Sequence, residues 1–91
     1  MFAVVVRETG DAAQIDRSGP LVSERVAPQL REAPGFVSAL WMSNRSGSTL
    51  NVLVFDSEGA ARGALEAARG ATRPPFMHVE SVDLFSVLAS A

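Results

Sequence analysis

Leu50-Asn51-Val52-Leu53-Val54-Phe55 is apolar at every position but one. Side chains along a strand alternate between its two faces, so a run this apolar means that both faces are covered. Phe2-Ala3-Val4-Val5-Val6 repeats the pattern near the amino terminus. A chain of 91 residues with room for two helices covers one face of a sheet built from such strands. The expected cover for the second face is another copy of the same sheet.

Outward from this run, turn and helix signals divide the chain. Phe2 to Glu8 reads as a strand stopped by Thr9-Gly10-Asp11, followed by a polar stretch from Asp11 to Ser18. Gly19-Pro20 opens a helix, with Pro20 tolerated in its first turn and Ser18 or Gly19 as the cap. Val22, Val26 and Leu30 supply its buried stripe, Pro28 predicts a kink, and Pro34-Gly35 ends it. Phe36 to Ser43 is the second strand, Asn44-Arg45-Ser46-Gly47 a reverse turn, and Ser48 to Phe55 the third strand. Asp56 or Ser57 caps a second helix that reaches Arg69 and buries Ala61, Ala64, Leu65 and Ala68, with Gly70 at its stop. After the stiff Arg73-Pro74-Pro75, His78 to Leu88 forms a long fourth strand.

The order strand, helix, strand, strand, helix, strand, joined by right-handed crossovers, places both helices on one face of a four-stranded antiparallel sheet. This is a ferredoxin-like α+β fold, one domain over residues 1–91, with strands ordered fourth, first, third, second. The first and third strands are central, so the open face is apolar and too large to stay wet. A homodimer paired sheet to sheet is the expected assembly.

Composition removes several function classes. There is no Cys and only one His, which leaves no thiolate chemistry and no ordinary zinc site. The eight basic residues, all Arg, are spread from Arg7 to Arg73 in a chain of net charge −2, unlike a nucleic-acid-binding face. No apolar run approaches the ~20 residues of a membrane span. The amino-terminal run lacks the form of a signal peptide, and a cytoplasmic location is expected. No metal and no tightly held cofactor are expected.

Pro34-Gly35-Phe36 entering a strand, Trp41 late in that strand, and Val54-Phe55-Asp56-Ser57-Glu58 before an Ala-rich helix resemble the antibiotic-biosynthesis-monooxygenase-like family of dimeric α/β barrels. The resemblance implies a homodimer that binds an apolar or aromatic metabolite. Cofactor-independent oxygenation of polycyclic aromatic substrates and haem degradation are among the family's activities. A non-catalytic ligand-binding or regulatory dimer is the alternative. Asp16-Arg17-Ser18-Gly19-Pro20-Leu21 is similar to a loop of the amino-acid-binding regulatory domains, which share this element order.

Five residues stand out as candidates. His78 is the one imidazole of the chain, the side-chain type best suited to general acid–base work. Antiparallel pairing of the first and fourth strands is expected to bring it and Glu80 near Arg7, so that His78, Arg7 and Glu80 form an acid–base cluster. Trp41 offers a flat apolar face to a ligand. Asn51, polar within an apolar run, needs buried partners and either orients a substrate carbonyl or bonds across the dimer. The hairpin is expected to place Trp41 opposite Leu50. Trp41 and His78 would then lie on opposite edge strands and at opposite ends of the sheet, well over ~10 Å apart.

Overall fold

β1 (Phe2–Gly10) and β3 (Ser48–Phe55) run antiparallel at the centre of the sheet, with β2 (Phe36–Ser43) outside β3 and β4 (Met77–Ser86) outside β1. The computed structural model describes all 91 residues. The strand order β2-β3-β1-β4 is the ferredoxin-like order expected from the crossovers.

Cross-strand partners share a face, so the register resolves the sheet into rows. On the helix-covered face these are Phe36–Phe55–Phe2, Ala39–Leu53–Val4–Leu84, Trp41–Asn51–Val6–Val82, and Ser43–Thr49–Glu8. The first three rows carry the core. Val4, Val6, Phe55 and Val82 are buried against Ala61 and Leu65 of the second crossover helix. Phe36 meets Phe55 edge to face, with ring centroids 6.1 Å apart. The opposite face carries Ala3, Val5, Leu50, Val52 and Val54, with Leu40 62% and Phe85 53% exposed at its edges. Of the first-strand valines, Val5 therefore shares the open face with Val52 and Val54, and Val4 belongs to the core.

The second crossover helix (Glu58–Gly70) is capped by Ser57, whose hydroxyl accepts from the Ala60 N–H at 3.2 Å. Its buried face is the one expected from the spacing of Ala61 and Leu65. The first crossover departs from expectation. The polar stretch after β1 contains a short helix, α1 (Ala12–Asp16), capped by Asp11 and buried through Ile15. The helix that follows, α2, spans 19–31 and includes a π-helical turn at Val22–Val26 before it resumes over Ala27–Arg31. Pro28 has no N–H to give Glu24's carbonyl, and the expected kink takes the form of this wide turn immediately before it. The extra residue in the turn rotates the face: Ala27 is buried, Leu30 half-buried, and Val26 43% exposed. The stripe Val22–Val26–Leu30 is thus corrected to one centred on Ala27 and Leu30. The second crossover helix is α3.

Three local irregularities set the register. Arg45 (φ 62°) and Gly47 (φ 95°) are both left-handed in the β2–β3 turn, whose Asn44 carboxamide oxygen accepts from the Ser46 and Ser48 N–H groups. The first pair past the turn is Ser43 with Thr49, so the loop holds one residue more than a four-residue turn. Val37 is extra in β2, and Glu80 is extra in β4 between the pairs Arg7–Ser81 and Glu8–Val79. No helix is long and apolar enough to cross a membrane.

Candidate ligand-binding site

Trp41 pairs directly with Asn51, one residue beyond the expected Leu50, because of the longer turn. A one-residue slip moves a side chain to the other face of a sheet. The observed register accordingly puts Trp41 and Asn51 together on the helix-covered face. That face stays open near the β2–β3 turn, where α3 does not reach it and α1 and the start of α2 arch over it. Between them lies a cavity of about 670 Å³, with Trp41, Asn51 and Glu8 on its sheet wall and Ile15, Val22 and Ala27 on its helical wall. A smaller hollow of about 260 Å³ continues along β2, sharing Ala27, Arg31 and Trp41 with the first.

The sheet wall of the cavity is polar at its inner end. Glu8 is 8% exposed, a burial that a carboxylate tolerates only with strong partners. Arg73 Nε donates to its Oε2 at 2.9 Å, and Asn51 Nδ2 donates to its Oε1 at 3.0 Å. The Thr49 hydroxyl approaches the same oxygen at 3.5 Å. Arg73 is fixed in turn by the Ala68 and Ala71 carbonyls, which accept from Nη1. The connector before β4 thus closes the polar network at the cavity floor. At the mouth stand Arg31, Arg45 and Asp16, the last accepting a 2.6 Å hydrogen bond from the Ser43 hydroxyl.

Of the residues singled out in the sequence, Trp41 and Asn51 line this cavity. Asn51 finds its buried partner within its own chain, in Glu8. The other three are elsewhere. His78 pairs with Thr9 and not with Arg7, Arg7 pairs with Ser81, and Glu80 accepts the Thr9 hydroxyl at 2.9 Å. The β1–β4 register sets His78 opposite Thr9, and the bulge at Glu80 leaves Ser81 in place of Glu80 opposite Arg7, so the expected Arg7–His78–Glu80 cluster does not assemble as read from even strand spacing. No ion pair joins these three, and all are exposed. Arg7 and His78 share the open face of the sheet, across it from the cavity. Trp41 and His78 do occupy opposite edge strands, but both lie in the half of the sheet nearer the β2–β3 turn, on opposite faces. No three His, Asp or Glu side chains converge as metal ligands would.

Glu8 and Arg73 escaped the sequence reading. Glu8 carried a signal: it continues the alternation Phe2, Val4, Val6 onto the core face. Arg73 carried none, because its place depends on the path of the connector.

No protein-family model and no curated protein matches the sequence, but solved structures match the fold over almost its whole length. ActVA-Orf6, a monooxygenase of Streptomyces coelicolor solved with the ligand nanaomycin D, superposes with a TM-score of 0.66 at 21% identity, covering 99% of this chain and 89% of its own. The chain has the fold of the antibiotic-biosynthesis-monooxygenase-like proteins. HapK of Hahella chejuensis matches with a TM-score of 0.65 at 14% identity, over 100% of this chain and 96% of its own. MhuD, a haem degrader of Mycobacterium tuberculosis solved with two haems in its active site, matches with a TM-score of 0.62 at 18% identity, over 100% and 99%. The resemblance read from Pro34-Gly35-Phe36, Trp41 and Val54–Glu58 therefore holds in three dimensions, at the level of the fold.

Proposed function

We propose that the protein is a homodimer that binds an apolar or aromatic metabolite in the cavity walled by Trp41 and Asn51. The observation that carries this reading is the cavity itself: about 670 Å³, within the range of small-molecule sites, with one aromatic face and a hydrogen-bonded polar end. Two proteins of the same fold, one with nanaomycin D and one with haem, support a flat ligand. Dimerisation is supported by the open face, where Val5, Leu50, Val52 and Val54 form a continuous apolar surface continued by Leu40 and Phe85.

Cofactor-independent oxygenation of the bound ligand is the activity the family resemblance implies, and the monooxygenase ActVA-Orf6 shares the fold. One observation favours the alternative, a non-catalytic binding module. Both carboxylates that line the cavity are already engaged, Glu8 by Arg73 and Asn51 and Asp16 by the Ser43 hydroxyl, so they serve a ligand as fixed acceptors. Trp41 is the only Trp and there is no Tyr, so intrinsic fluorescence reports on the cavity wall. A panel of polycyclic quinones, haem and flavins should contain a compound that quenches this emission saturably and raises the melting temperature. A panel without such a compound overturns the reading. Molecular oxygen consumption with the bound compound then separates oxygenase from binding module.

A further inference from the structure

The polar groups of the cavity are arranged asymmetrically, and the asymmetry specifies the kind of ligand. At the inner end, the Glu8 carboxylate accepts hydrogen bonds and donates none, which forces the Asn51 carboxamide to turn its NH2 toward it. Asn51 Oδ1 has no protein partner, and no buried side-chain polar atom of the chain lacks one. That oxygen therefore opens onto the cavity that Asn51 lines. Arg73 and its two carbonyl partners lock the arrangement from behind. The inner wall thus presents fixed acceptors, the Asn51 carbonyl oxygen and the Glu8 carboxylate.

The mouth has the reverse character. Arg31 and Arg45, both exposed, line it, and neither guanidinium makes an ion pair, since the ion pairs of this chain engage Arg62, Arg69 and Arg73. Asp16, the only acid at the mouth, is engaged by Ser43. Between the two ends lies the Trp41 face.

We infer that the cavity takes a planar aromatic acid, with a hydroxyl donating to Asn51 Oδ1 at the inner end and a carboxylate attracted by the exposed Arg31 and Arg45 at the mouth. This inference rests on the proposed ligand-binding role and narrows it to a ligand with a donor at one end and an anion at the other. Once a ligand fills the cavity and shuts water out, an acceptor left without a donor rejects an analogue lacking the hydroxyl more strongly than a solvated arginine rejects one lacking the charge.

Calorimetric titration with 6-hydroxy-2-naphthoic acid, its methyl ester and 6-methoxy-2-naphthoic acid tests both ends. The hydroxy acid is expected to bind most tightly, the methoxy acid at least about tenfold more weakly, and the ester a few-fold more weakly. The advantage of acid over ester should shrink as salt is raised, because the mouth is solvated. In an Arg31→Gln/Arg45→Gln variant, acid and ester should bind alike. Equal affinities for the three compounds would overturn the inference and leave the binding role standing. Failure of all three to bind, in a protein whose Trp41 emission also ignores the wider aromatic panel, would remove both.

Discussion

Glu8 on β1 and Arg73 in the segment before β4 form a 2.9 Å ion pair with side chains only 9% and 16% exposed. The two are 65 residues apart in sequence, and the contact ties the last connector to the central strand at the floor of the cavity. A pair this buried stabilises little over an apolar substitute, but removing one partner strands a charge in a poorly solvated place.

Arg73→Ala should consequently destabilise the protein by about 3–5 kcal/mol, read as a lower urea midpoint at unchanged slope. The Arg73→Ala, Glu8→Gln double variant should recover part of that loss, because no unpaired carboxylate remains. A single variant as stable as the parent would show that Glu8 is solvated and that the cavity floor is loose.

The two faces of β3 should respond differently to charge. Leu53 packs against the core beneath the helices, and Val54 looks out from the open face. Leu53→Asp should leave the chain largely unfolded by circular dichroism, since the carboxylate has no partner there. Val54→Asp should keep native secondary structure and shift the light-scattering mass from dimer to monomer. A parent protein that scatters as a monomer at ~1 µM, well above the dissociation constants of stable interfaces, would remove the dimer.

Gly35 ends the first crossover with φ +75°, and a Cβ there would lie 2.6 Å from Asp56 Oδ1 and 2.8 Å from the Ala60 Cβ. Gly35→Ala combines backbone strain with steric conflict against the start of α3. It should lower stability by more than about 1 kcal/mol, measurable by denaturant titration. Gly63→Ala, with open space around its added methyl, should be neutral or stabilising within α3.

Phe55 is 1% exposed and stacks edge to face with Phe36. Phe55→Ala should cost about 3–5 kcal/mol. His78→Ala, at an exposed position across the sheet from the cavity, should leave both stability and quenching of Trp41 by a cavity ligand unchanged. A loss of quenching in the His78 variant would mean that the ligand sits on the open face.

Strand positions, sheet order and the apolar character of both sheet faces were set locally, by runs such as Leu50–Phe55 and by the right hand of the crossovers. So were Trp41 and Asn51 as polar and aromatic exceptions worth a role. Which residues face each other was decided by geometry that no periodicity carries. One extra residue in the Asn44–Ser48 turn joins Trp41 to Asn51, and the bulge at Glu80 puts Ser81 in its place opposite Arg7. A strand's alternation is blind to such insertions, because each one changes register without changing composition. The Glu8–Arg73 pair lies further still from sequence: its partners meet only after four strands and the α3 connector have taken their places. The polar lining of the cavity depends on that meeting, so tertiary structure decided it.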